Sequence, residues 1–318
     1  MTAQTATTLT VATRRRTGPS LTRSRRDQPS LLRQAVLQAV TVLVLLTVLF
    51  PIVWVIAISL DPLNRSRPEG LSLIPSNATL EAYGQVISQP TNNPISFLGL
   101  AGNSLKIALG TSIISVLIGV SAAYAFARFK FRGREVLMLA ILGVLMLPPV
   151  ATLTPLFVML NQVQLDLPLV GAFNLRNSLL GVGLAIISGL LPFAIWNLKG
   201  YLDTIPRDLE EAAWVDGASY NQTFIKIILP LALPALAVTA FLGFVSGWTE
   251  FYFSWMFLNK VEDQTLAMAL YAMQGQFAST PWSQFSAFAI LFAILPAIVY
   301  FFAQRYITSG LAIGGVKG

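Results

Sequence analysis

The chain has 318 residues, 55% of them hydrophobic and only 11% charged, with a mean hydropathy of +0.67 and a formal net charge of +7. A soluble domain is about a quarter charged, so this composition belongs to a membrane protein. There is no Cys and no His. This excludes disulfides, thiol catalysis and Cys-ligated metals, and it removes the commonest general base, proton shuttle and metal ligand.

The first 33 residues are rich in Thr, Ser and Arg, with Arg14, Arg15, Arg16, Arg23, Arg25, Arg26 and Arg33 against the single acid Asp27. Such a segment cannot bury a core and reads as a disordered basic tail; an Arg-rich transit peptide shares this composition. The apolar run that follows, 35–59, is too long for a signal-peptide core and has no small-residue cleavage site after it. It reads as a retained span.

A helix needs about 20 apolar residues to cross the hydrocarbon, and six segments qualify: 35–59, 103–127, 135–160, 178–199, 231–258 and 284–307. The expected fold is therefore an all-α polytopic membrane protein with six transmembrane helices. Pro148, Pro149 and Pro155 predict a broken third span. The basic residues concentrate in particular short connections, a pattern of membrane topology that argues against nucleic acid as a partner. Arg128, Lys130, Arg132 and Arg134 follow span two; Lys199, Arg207 and Lys226 follow span four. Basic loops stay in the cytoplasm, so these two connections and both termini are expected inside. The remaining connections face outward. The 60–102 segment, the longest of them, should fold over the outer face, and 308–318 should form a cytoplasmic tail. Residues 103–307 would then make a core domain of five helices.

The inner connection 201–229 is unusual, because it is charged and yet helical in pattern. Pro206 suits a helix start, and Leu209, Ala212, Ala213 and Val215 can line one side of a short helix. Asp216 and Gly217 signal a turn with positive φ at the glycine. Ser219 and Gln222 have capping-box spacing for a second helix, which presents Phe224, Ile227 and Ile228. The result is helix, turn, helix with an apolar face that needs a partner groove.

Here a resemblance becomes specific. Glu211-Ala212-Ala213, three residues, Gly217, nine residues, then Ile227-Ile228-Leu229-Pro230 resembles the coupling-loop motif of ABC importer permeases at every position. The surroundings resemble the maltose-type sugar permease subunits: Lys199-Gly200-Tyr201, Pro230 to Pro234, Ala125-Phe126-Ala127-Arg128, and the tail Gly310 to Gly318. The likeness runs from about Pro51 to Gly318. It implies a type I importer permease fold whose helix pair docks into a cleft on a cytoplasmic ATPase dimer. Glu211 would make polar contacts, Gly217 would allow the turn and Phe224 would anchor the pair, with Asp216, Ile227, Leu229 and Pro230 completing the loop. The tail, with Gly315, Lys317 and Gly318, would reach between the ATPase subunits or else hang free. The resemblance also implies a second permease subunit, an extracytoplasmic sugar-binding protein and surrounding lipid. The cargo would be a maltose-, maltodextrin- or trehalose-like oligosaccharide, with a polyol, glucosyl-glycerol or glycerol-phosphate as the alternative. The chain has no GxxxxGK[ST] phosphate loop. It is therefore expected to be no enzyme and to hold no cofactor of its own, ATP and magnesium being bound by the partner.

Within the spans Glu250 stands out beside Trp248, since a carboxylate at mid-helix is costly to insert. Two readings remain open for it: the translocation path or a polar contact between subunits. Gly243 and Gly247 form a GxxxG that permits close helix approach. By resemblance the outer loop with Gln274 and Trp282 would touch the binding protein; otherwise it is a plain connector. An ion-driven secondary transporter would call for more intramembrane acids, His relays or inverted repeats, and no paired catalytic set for a membrane enzyme is apparent.

Overall fold

A computed structural model describes residues 30–63, 75, 77–167, 171–275 and 280–314. It divides into two units, Met1–Pro51 and Ile52–Gly318. In the first, the described residues begin helix α1 (Leu31–Ser59). Their large apolar side chains from Leu31 to Phe50 are exposed almost without exception.

The second unit is built around α3 (Phe97–Arg128), a 32-residue helix. It packs along α6 (Leu179–Leu202) and α10 (Leu233–Trp248), and α10 packs in turn on α13 (Trp282–Gly314). α3 approaches α10 closely because Gly243 and Gly247 remove two side chains from the seam. A Cβ on Gly247 would lie 2.7 Å from the Ala108 Cα and 2.4 Å from the Thr111 hydroxyl. Polar side chains fasten the same seam: Thr111 Oγ1 donates to the Gly243 carbonyl at 3.0 Å and Ser112 Oγ to Ala240 at 2.7 Å. The sequence expectation of close approach at this GxxxG is met within one chain.

The third segment is broken as its prolines predict. α4 (Arg134–Val144) ends, a short link follows, and α5 (Pro149–Asn161) restarts with Pro149 in its first turn, where a missing N–H costs nothing. Leu147 and Pro148 both precede a proline, a position that disfavours helical ψ. Both halves pack on α6.

The purely helical expectation needs correction. A hairpin of β1 (Gln164–Leu167) and β2 (Gly171–Asn174) follows α5, antiparallel and in register Gln164 to Asn174. Its alternation spans too few residues to stand out beside strong helix signals. Of the six expected crossings, not all are single helices. Among the described residues four helices are long and apolar enough to cross a membrane: α1, α3, α6 and the 282–307 portion of α13. The 231–258 segment is not one helix. It is bent by 76° at its entry, where α10 starts after Ala232, and it breaks again at residues 249–251 before α11 (Tyr252–Phe257). Boundaries shift as well. α1 starts at Leu31, inside the segment expected to be tail. α3 starts at Phe97, capped by Ser96 Oγ on the Gly99 amide at 3.3 Å, and α13 runs to Gly314 through part of the expected 308–318 tail. Residues 1–29 and 315–318 lie outside the described residues, and with them Gly315, Lys317 and Gly318.

At the end of the bundle where α3 begins, described parts of two connections pack back onto the helices. α2 (Glu81–Ser88) buries Val86 in the core and bonds Ser59 to Tyr83 at 2.8 Å. α12 (Leu266–Ala272) and the loop before it are held by α3: Asn103 donates to the carbonyls of Glu262 (2.6 Å) and Gln264 (3.0 Å), and Ser104 accepts from the Leu266 amide at 2.9 Å. The opposite end carries the candidate site.

Candidate functional site

The connection after α6 folds as helix, turn, helix. α7 (Asp208–Val215) places Asp208, Glu210 and Glu211 in its first turn, where carboxylates meet the positive end of the helix dipole. It ends in a Schellman arrangement: the Ala218 amide donates to Ala213 O at 2.9 Å and the Gly217 amide to Trp214 O at 3.0 Å. Gly217 takes φ +86°, the left-handed conformation this stop requires. α8 (Tyr220–Thr223) then opens with a complete capping box. Ser219 Oγ accepts from the Gln222 amide at 3.3 Å, and Gln222 Oε1 accepts from the Ser219 amide at 2.9 Å. The expected turn and cap are both present.

The chain continues through a π-helical turn (Phe224–Ile228) into α9 (Leu229–Leu231), with the Leu229 amide donating to Phe224 O. The cause lies one residue on. Pro230 has no N–H to give, and its ring would collide with the carbonyl four residues earlier. Widening the turn relieves that contact at Lys226.

Which residues face inward differs from the sequence reading. Val215 is 87% exposed and Leu209 is exposed too, whereas Glu210 (2%) and Ala213 (7%) are buried. Glu210 is buried because it has partners on α3. It forms an ion pair with the Arg128 guanidinium and accepts from Tyr124 Oη at 2.8 Å. Arg128 also donates to the Ile205 carbonyl at 3.0 Å, and Arg207 to the Ala127 carbonyl at 2.9 Å. Four side chains thus clasp the helix pair to the last turn of α3. Sequence reasoning missed this clasp. It took Arg128 as a topology marker and gave Glu210 no role of its own. The signal available was the i, i+3 spacing of Glu210 and Ala213, which puts both on one helical face.

Phe224, which the resemblance makes an anchor, is half-buried and packs on Tyr124 within the chain, ring centroids 4.7 Å apart. It joins a cluster with buried Ile228, Leu198 and Leu202, against which Leu229 also packs; Ile227 is half-buried and Pro230 exposed. What does project outward is a small apolar knob: Trp214 and Tyr220, in ring contact at 4.9 Å, with Val215 and Ile225. Asp208, Glu211, Ala212 and Asp216 are exposed alongside. A recess of about 230 Å³ lies between Tyr124, Arg128, Glu211 and Trp214.

The other sequence candidates fall elsewhere. Glu250 sits in the break before α11 and caps that helix: its carboxylate accepts from the amides of Phe253 (2.6 Å) and Ser254 (2.9 Å) and from Ser254 Oγ (2.6 Å). Trp248 is buried, stacked between Phe244 and Phe292, and donates to the Phe292 carbonyl at 3.0 Å. Gln274 is exposed after α12, and Trp282 starts α13 against Phe285. The structure does not bring these residues to the helix pair.

Residues 115–313, which include the clasp, the turn and the knob, match the family described as the binding-protein-dependent transport system inner membrane component. The chain belongs to that family. It is 33% identical over 279 residues to the trehalose/maltose transport system permease protein MalG of Thermococcus litoralis, a match covering 87% of this chain and 94% of that protein. It is also 33% identical over 271 residues to the galactooligosaccharides transport system permease protein GanQ of Bacillus subtilis, covering 85% and 91%. The fold is similar to a chain in the crystal structure of a bacterial ABC transporter involved in the import of the acidic polysaccharide alginate. There the TM-score is 0.69 at 23% identity, over 91% of this chain and 99% of that one. This family member is thus a multi-pass membrane component of a transport system.

Proposed function

We propose that the chain is the membrane-spanning permease subunit of an ATP-driven importer for maltose- or trehalose-like oligosaccharides. The carrying observation is the Asp208–Ile228 helix pair, whose exposed apolar knob and acids are tied through Glu210 and Arg128 to a membrane-length helix. An exposed amphipathic helix pair needs a groove in a partner, and a rigid tie to α3 would pass the partner's movement into the bundle. The partner on this reading is a cytoplasmic ATPase dimer, which binds ATP and magnesium; a second permease subunit completes the pathway. The relatives named for trehalose, maltose and galactooligosaccharides support a sugar cargo. α4 with α5, and α10 with α11, serve as the third and fifth of six crossings. The termini and the helix pair lie in the cytoplasm, while the caps around α2 and α12, with Gln274 and Trp282, face the sugar-binding protein.

The test is reconstitution in vesicles. ATP hydrolysis and uptake of labelled maltodextrin should appear only when the chain is combined with the ATPase pair, the second permease and loaded binding protein. Hydrolysis by the chain alone would overturn the assignment. Uptake of a polyol in preference to maltodextrin would keep the importer and change the cargo.

A further inference from the structure

Next to the clasp, the link from α3 to α4 shapes a groove of about 950 Å³. Four basic residues line it: Lys130, Arg132, Arg134 and Lys199. Lys199 is engaged by Asp203 at 2.6 Å. The other three have no ion-pair partner among the described residues, and Lys130 and Arg132 are exposed. Glu135 is the one carboxylate on the lining, so the groove keeps a clear positive excess.

The rest of the wall is apolar. Phe126, Phe131, Met138 and Leu139 line it together with the cations, and Val136 and Leu139 on α4 are 72% and 67% exposed. The groove therefore has a charged mouth at the end of α3 and α6 and a greasy flank running along α4 into the membrane-length part of the bundle. That two-part chemistry matches one kind of occupant. Free phosphate would satisfy the cations and leave the flank bare; an acyl chain alone would do the reverse.

We infer that this groove binds the headgroup of an anionic phospholipid, with Lys130, Arg132 and Arg134 on the phosphate and α4 along the acyl chain. Basic pockets between membrane helices bind such headgroups, and each nearby Lys or Arg adds favourable electrostatics. The site is separate from the helix pair and independent of the cargo.

Native mass spectrometry of the purified full chain in a non-ionic detergent, offered phosphatidylglycerol and phosphatidylcholine in equal amounts, tests this. The wild type should retain phosphatidylglycerol over phosphatidylcholine on the order of tenfold. The triple variant Lys130→Gln, Arg132→Gln, Arg134→Gln should lose that preference. The charge-conserving Lys130→Arg, Arg132→Lys, Arg134→Lys should keep it, and so should Lys226→Gln, a basic residue outside the groove. Equal retention of both lipids by the wild type would overturn the inference, and so would an unchanged preference in the triple Gln variant. Displacement of phosphatidylglycerol by inorganic phosphate would overturn it in favour of a free-anion site. In the assembled transporter, a photocrosslinker at position 132 should label lipid; labelling a protein subunit instead would make the groove a protein interface.

Discussion

Glu210 and Glu211 are neighbours in sequence, yet one faces the Arg128 guanidinium in the protein interior and the other faces outward. Removing one member of a buried pair leaves its partner charged without compensation, a loss of about 3–5 kcal/mol. Glu210→Gln should therefore lower the melting temperature in detergent and abolish coupled uptake. Adding Arg128→Met should restore part of the stability, because an empty pair costs less than half of one. A Glu210→Gln protein with unchanged melting and uptake would show that the clasp is not made. Glu211→Ala should leave melting unchanged and weaken co-purification with the ATPase partner. Gly217 fails differently. No atom lies within 4 Å of a Cβ there, so the cost of a side chain is the left-handed backbone alone, about 1–2 kcal/mol. Asn, which tolerates this conformation, should retain uptake where Val loses it, a contrast read directly in a transport assay. Gly217, Ser219 and Gln222 were legible in the sequence because their partners are within a few residues. Glu210 was not, because Arg128 lies 82 residues away and no local pattern carries that distance.

At the scale of helices, hydropathy marked where apolar segments lie and was weaker on where they stop. α3 begins at Phe97 and not 103 because Ser96 caps it; glycines at 99 and 102 weaken the helical signal of its first turns. Pro148 and Pro149 disclosed the break in the third segment, since proline acts on its own neighbours. The break before α11 was harder to read: Glu250 was weighed as a pathway residue or a contact between subunits, and its carboxylate accepts from the first amides of the helix that follows. The GxxxG of α10 invites the sharpest element-scale test. A side chain at Gly247 would run into the backbone of α3 at Ala108, and overpacking of this kind costs about 1–3 kcal/mol or more. Gly247→Leu should lower the melting temperature markedly, and Gly243→Leu should do likewise. Gly189→Leu, with open space around its Cβ position, should be near neutral. Wild-type melting for Gly247→Leu would mean α3 and α10 do not meet at this seam.

For the whole molecule, the basic connections predict an orientation that reporter fusions can check. Reporter fusions after Lys130 and after Gly217 should be active with a cytoplasmic reporter, and a fusion after Gln89 with an external one. An external reading at Lys130 would invert both the coupling assignment and the lipid site. Among the long helices described, α3 alone has no proline; α1, α6 and α13 carry Pro51, Pro192 and Pro296. At 1.5 Å per residue its 32 residues make a beam about 48 Å long. One end is bolted to the helix pair by Arg128 and Tyr124, and the other holds the 262–266 loop through Asn103 and Ser104. Such a beam does not absorb a load by bending at a hinge. A tilt of about 5° over that length carries one tip about 4 Å past the other, so a nudge at one mouth arrives at the opposite mouth as a stroke.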